Sequence, residues 1–254
     1  MEYEIREEGN FKYIESNTGE ENLLLLHGLF GPLSNFQGII EHFGKDGKYN
    51  VIVPMLPIYE LPILEVSLSG LVDHVKNFVD FKGYEKVHIL GNSLGGHIAL
   101  LYALAVPEKT ASMTLTGSSG LFESGMGNTF PKRGNYEFVE NKTRATFYNP
   151  DVATKELIDE VYDIVNDRNK VIRVIKTAKS ALRHNLADKL DQIKAPTLLI
   201  WGQQDTITPP FVGKKFHELI NNSQLIFVDE CGHAPMMEHP ALFNGHLGKF
   251  LSEI

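Results

Sequence analysis

Six short apolar runs, none of them alternating, decide most of what this chain can fold into. They are Leu23–Leu26, Val51–Val53, Val87–Leu90, Met113–Leu115, Thr197–Trp201 and Leu225–Val228. Each is too short for a helix and lacks the polar–apolar alternation of a strand with one wet face, so they read as strands covered on both sides, as in a parallel sheet. The spacing between them predicts helices over Leu71–Val79, Gly96–Leu104 (limited by Pro107), Phe211–Ile220 and Pro240–Leu251. Strands alternating with helices build a mostly parallel sheet with helices on its faces and right-handed crossovers. Ahead of the first run, Tyr3–Arg6 and Phe11–Ile14 alternate around a Gly9-Asn10 turn signal and predict an antiparallel hairpin.

One interval breaks this rhythm. From about 118 to 190 no buried strand is readable, while Thr154–Val165 and Lys170–Leu182 have helical spacing. The chain therefore divides into a first core part at 1–117, a helical insertion at 118–190 and a second core part at 191–254, with the insertion expected over one edge of the sheet. At 254 residues and 43% hydrophobic content the chain has material for a sizeable core.

Function classes narrow on charge and composition. A net charge of −8 opposes a nucleic-acid footprint, which needs a basic face. No apolar stretch is long enough for a membrane span, and the charged start, MEYEIREEGN, is no secretory signal. The single cysteine, Cys231, forms no internal disulfide and suits a cytoplasmic setting. We expect it to be a small buried hydrophobe rather than a nucleophile. No metal signature is present: His217-Glu218 lacks the second histidine of H-E-x-x-H. Gly91–Gly96 places a serine where a dinucleotide fingerprint needs glycine.

That serine is the chemical centre of the sequence. Gly91-Asn92-Ser93-Leu94-Gly95-Gly96 follows one predicted strand and opens a helix, the setting of a nucleophile elbow. A strand that turns directly into a helix strains the serine and leaves no room for neighbouring side chains, hence the glycines. Its bland reading is a glycine-rich turn with a capping serine. A serine nucleophile needs a base, and the base needs an orienting acid. Asp205 in WGQQD and His233 in CGHAP each lie just past another predicted strand, so all three share one sheet edge. Glu123, after the strand Met113–Leu115, is the alternative acid. His27-Gly28 ends a further strand. The next amides, of Leu29 or Phe30, are candidates to face the site; we assign Leu29, with Leu94, to the oxyanion hole. His27 itself is expected to be structural, and His97 to pack or cap. Phe30, Asn92, Ala234 and Met236 are candidate pocket residues, although Met236, with Pro235 and Met237, can equally be core.

Taken together, HG at 27–28, GNSLGG at 91–96, GQQD at 202–205 and GHAPMMEHP at 232–240 resemble the α/β-hydrolase family over essentially the whole chain. The resemblance implies an α/β-hydrolase fold, a helical cap at about 118–190, a small-molecule substrate and no cofactor. Within that family, Asn92, Cys231-Gly232-His233, Ser34-Asn35-Phe36 and the stretch 149–171 are similar to the meta-cleavage-product hydrolases, which cut a carbon–carbon bond in vinylogous diketones. Arg168 is the nearest match to the arginine that grips the substrate carboxylate there. The chain departs from that group in HGLFGP, in Ala234 where tryptophan is usual, and in VPMLPIYELP, which lacks the family's Asp-x-Pro-Gly turn. The sequence thus leads us to expect a serine esterase acting on a small, fairly apolar carboxylic ester. In that reading Arg168 lies outside substrate reach. Carbon–carbon cleavage by the same residues and a binding or signalling protein with vestigial turnover are the alternatives.

Overall fold

In this computed structural model the described residues are 4–30, 36–122 and 134–254. The elements run in the order β1 (Arg6–Glu8), β2 (Phe11–Glu15), β3 (Glu21–Leu26), α1 (Gln37–Phe43), β4 (Tyr49–Pro54), α2 (Leu68–Phe81), β5 (Val87–Asn92), α3 (Leu94–Ala105) and β6 (Thr110–Thr116). There follow α4 (Tyr136–Arg144), α5 (Lys155–Asn166), α6 (Arg168–Arg183), β7 (Thr197–Gly202), α7 (Pro210–Leu219), β8 (Ser223–Val228), α8 (Pro235–Glu238) and α9 (Pro240–Ser252). The strands form one sheet in the order β1-β2-β4-β3-β5-β6-β7-β8. Pairing is antiparallel at β1–β2 and β2–β4 and parallel from β4 to β8. This is an α/β-hydrolase fold.

The apolar runs lack alternation because their alternate residues feed two cores. In β3, Leu24 and Leu26 join the cluster under α2, α3 and α7, while Leu23 and Leu25 join the one under α1 and α9. β7 splits likewise, Leu199 and Trp201 to the first cluster, Leu198 and Ile200 to the second. Period-two side-chain direction with both faces covered removes the polar–apolar alternation of a strand with one wet face.

The hairpin sits later than its alternation suggests. Pairing runs from Arg6↔Tyr13 to Glu8↔Phe11 around Gly9-Asn10, with Gly9 at φ +58°. A two-residue turn sets the register from its own end, which draws the charged Glu7 and Glu8 into an exposed edge strand. Residues 1–3, including Tyr3, lie outside the described residues.

Among the described residues between β6 and β7 there are helices and 3-10 turns but no strand. Side chains cap each start: Asn135 accepts from the Phe138 amide, Thr154 from Leu157, and Asp167 from Asn169 and Lys170. α5 buries Leu157, Ile158, Ile164 and Val165 on one stripe; α6 buries Val174, Thr177, Ser180 and Ala181. Polar bonds tie this excursion to the sheet's carboxyl side. Ser180 Oγ accepts from the Leu68 amide at 3.0 Å, Arg173 Nε donates to Leu61 O at 2.9 Å, and Lys176 Nζ donates to Ile63 O. Among the described residues no helix is long and apolar enough to cross a membrane.

Candidate active site

The carboxyl ends of the parallel strands carry the residues singled out by the sequence. Ser93 links β5 to α3 with φ 54° and ψ −117°, a conformation that costs a side-chain-bearing residue about 1–3 kcal/mol. Its surroundings enforce it. The Ser93 amide donates to Thr116 O at 3.1 Å, and Ser93 O accepts from the amides of Gly96, His97 and Ser119.

Steric exclusion explains the glycines around it. A Cβ on Gly91 would lie 2.4 Å from the Gly95 backbone, one on Gly95 2.0 Å from Leu26 O, and one on Gly96 2.4 Å from Ser118 Oγ. These contacts press the start of α3 onto the ends of β3 and β6. Gly28, just past β3, comes within 3.5 Å of Ser93 Cβ by the same measure. Tyr59 Oη donates to Leu29 O at 2.7 Å, which fixes the peptide beyond it. Leu94 opens α3, where helix amides have no intrahelical acceptor.

Asp205 and His233 meet at the neighbouring strand ends. His233 Nδ1 is 2.9 Å from Asp205 Oδ2, and both residues are buried. A carboxylate only accepts, so the pair places the imidazole proton on Nδ1 and leaves the Nε2 lone pair as a base. Asp205 is saturated: Oδ1 accepts from the Ile207 and Thr208 amides, and Oδ2 also accepts from Thr208 Oγ1 at 2.8 Å. Burial alone raises its pKa, but His233 and the Thr208 hydrogen bonds outweigh burial and hold the carboxyl below the usual range.

Asn92 joins the two halves. Its Nδ2 donates to Thr116 O, which also receives the Ser93 amide, and to His233 O. It is 4% exposed and committed to these carbonyls, so the expected pocket role gives way to a brace. Ala234 and Met236 both pack in the core under α1 and α9 with Phe36 and Phe243, the core placement that the sequence left open for Met236. Phe30 is half-buried beside Leu29.

His27 differs from His233. Nδ1 is 2.8 Å from Gly28 O and Nε2 accepts from the Leu56 amide at 3.1 Å, so both ring nitrogens are occupied. Burial pushes its pKa down to about 4 and keeps it neutral. His97 is also fully buried and pushed down to about 4 by burial. Burial, with Glu238 beside it, pushes the Cys231 thiol up, away from nucleophilic use. Arg168 opens α6 and is exposed. Glu123, residues 125–128, Gly31-Pro32 and Ser34-Asn35 lie outside the described residues. No cluster of three or more His, Cys, Asp and Glu among the described residues is arranged to hold a metal ion.

Sequence reasoning missed two residues in contact with the candidate triad. Gly117 has φ +51°, and a Cβ there would come 2.8 Å from His233 Nδ1, so only glycine leaves room for the ring. Its signal was a glycine directly after a buried strand. Thr208 belongs to Asp205-Thr-Ile-Thr, an Asx-turn pattern in which the carboxylate accepts amides two and three residues on.

A curated relative, the 2-hydroxy-6-oxononadienedioate/2-hydroxy-6-oxononatrienedioate hydrolase of Paraburkholderia phymatum, is 29% identical over 95% of this chain and 90% of its own. The 2-hydroxy-6-oxo-6-phenylhexa-2,4-dienoate hydrolase of Burkholderia cepacia is 30% identical over 94% of this chain and 92% of its own. Among solved structures, an alpha/beta hydrolase enzyme from the sediment metagenome of the Mar Chica lagoon, Morocco, is 42% identical, with a TM-score of 0.80 over 98% of both chains. The sequence profile described as "Alpha/beta hydrolase family" matches residues 23–245, from β3 through the elbow and both strand ends into α9. With this match across nearly the whole chain, on a sheet of the corresponding topology, the protein belongs to the alpha/beta hydrolase family.

Proposed function

We propose that this hydrolase works through an acyl-enzyme on Ser93, and that its substrate is a vinylogous diketone acid cut at a carbon–carbon bond. The 2.9 Å His233–Asp205 pair, with His233 O bonded to Asn92 next to a strained Ser93, supports the chemical part of the reading. Relatives of about 30% identity named as dienoate hydrolases support the substrate class over the carboxylic ester expected from sequence. The excursion at 118–190 is the cap that defines the pocket; its ties to both Leu61–Leu68 and the His233 loop support this.

In this mechanism Ser93 Oγ attacks the ketone carbon while its proton passes to His233 Nε2. Asp205 stabilises the imidazolium, and the amides of Leu29 and Leu94 receive the oxyanion. Collapse breaks the carbon–carbon bond. The electron pair leaves on carbon because conjugation spreads it over the neighbouring enone, and His233 returns the proton there. Water, deprotonated by His233, then attacks the acyl group and restores Ser93, so one water is consumed and no cofactor is needed.

An ester of a small, apolar acyl group is the second reading. It is favoured by HGLFGP and by the exposure of Arg168, which we leave out of carboxylate binding. Both substrate classes are to be assayed on one preparation with Arg168→Ala alongside. The proposal expects kcat/KM for the diketone acid to exceed that for p-nitrophenyl butyrate about tenfold or more, a gap of about 1.4 kcal/mol in transition-state binding. Equal or inverted preference returns the assignment to the ester, and collapse of diketone turnover in Arg168→Ala would bring that arginine into the site.

A further inference from the structure

His233 is held by more than Asp205. Its amide donates to Thr146 O at 3.0 Å, in the helical excursion, and its carbonyl accepts from Asn92. The residue before it, Gly232, packs so closely on the excursion that a Cβ would come 2.7 Å from Thr146 O and 2.8 Å from Tyr148 N. Beside this junction stands Glu238, at the end of α8. Its Oε1 accepts from the Gly232 amide at 2.7 Å. Its Oε2 accepts from the amides of Tyr148 and Asn149 at 2.8 and 3.2 Å. One half-buried carboxylate thus closes on backbone donors from two segments some 80 residues apart in sequence, roughly the separation of 148 and 232.

We infer that Glu238 is a positioning residue that clamps the 146–149 turn of the excursion to the His233 loop, so that placement of the base depends on placement of the excursion. The inference rests on His233 being the base. An ionised carboxylate is the group suited to this junction, because every partner there is a donor: three backbone amides and, at 3.8 Å from Oε1, the Cys231 thiol. Glutamine has the same shape but offers an NH2 on one side, which must face at least one amide. A residue needed only for bulk therefore ranks glutamine near glutamate and alanine last. A residue needed as an acceptor ranks glutamine close to alanine.

The test compares wild type, Glu238→Gln and Glu238→Ala by amide hydrogen exchange, thermal unfolding and the rate of Ser93 labelling by a fluorophosphonate. Both variants are expected to lose protection at Gly232, Tyr148 and Asn149 together and to label at least about tenfold more slowly, since displacements on the ångström scale cost that much or more. Wild-type exchange stands even if both variants unfold: the amides of Tyr148, Asn149 and Gly232 should open as one unit. Near-wild-type labelling and protection in Glu238→Gln overturn the inference, as does independent opening of the two segments in wild type. If wild type itself fails to label, the serine reading falls, and the exchange data still decide whether Glu238 clamps the two segments.

Discussion

The two halves of the site are built from different materials. On the β3–β5 side, geometry comes from backbone crowded against backbone: Gly91, Gly95 and Gly96 leave no space, Ser93 is forced to positive φ, and His27 is locked neutral between Gly28 and Leu56. On the β7–β8 side it comes from charge and hydrogen bonds: Asp205 saturated by Thr208 and His233, and the His233 loop tied by Asn92, Thr146 and Glu238. Steric construction resists small chemical change but not added volume. Electrostatic construction tolerates volume-neutral change in shape but not in charge. Substitutions on the two sides should therefore fail in different ways.

The largest expected effect lies on the charged side. In Asp205→Asn the retained Oδ1 still accepts from Ile207 and Thr208, while an amide NH2 replaces the Oδ2 that faces His233. The imidazole then accepts at Nδ1 and carries its proton on Nε2, where the base is needed. Activity should fall on the order of 10⁴-fold with the fold intact. Steady-state kinetics and circular dichroism check this, and a mild loss would move the acid elsewhere, with Glu123 the first to examine.

On the crowded side, Gly95→Ala should fail as a structure. Its methyl would sit 2.0 Å from Leu26 O, so destabilisation of about 3 kcal/mol or more is expected. Gly28→Ala is the control, because its methyl meets Asn92 and Ser93 only at ordinary contact, 3.4–3.5 Å. Urea unfolding of both variants decides, and similar stabilities would contradict the steric account.

Acid should separate the halves more gently. His27 and His97 have pKa values near 4 in the fold against 6.5 ordinarily, so below 6.5 the unfolded chain binds protons that the folded chain refuses. Their contribution to stability is complete above pH 6.5 and is lost towards pH 4, at about 1.4 kcal/mol per pH unit for each histidine. Asp205 has the same sign in a lower window: its carboxyl lies below the ordinary 3.8, so its contribution persists until the pH falls past that range. Unfolding free energy measured from pH 7 to 4 should lose the slope of one proton in His27→Gln. An unchanged slope would mean that His27 is not held neutral.

The same contrast explains what the sequence made legible. The parallel strands were readable because the part of a strand buried on both faces is mostly apolar, as Leu23–Leu26 of β3 and Leu198–Trp201 of β7 are. The elbow was readable because steric exclusion admits only glycine at Gly91, Gly95 and Gly96, and a glycine pattern is visible in a string of letters. α1 and α4 were not foreseen: α1 is only seven residues, and α4 buries only Val139 and depends on the Asn135 cap. Thr208 and Glu238 escaped notice because their roles are hydrogen bonds set by the folded chain. The placement of Ala234 and Met236 was not decidable from sequence, because a Pro-Met-Met run after a histidine looks the same whether it lines a cleft or enters the core.

The account turns on Ser93 as the nucleophile, and the most direct measurement is peptide mapping by mass spectrometry after treatment with a fluorophosphonate. We predict a single adduct on Ser93, formed at least about a hundredfold more slowly in His233→Gln because the serine then lacks its base. An adduct on another residue, or equal labelling of Ser93 without His233, would contradict it.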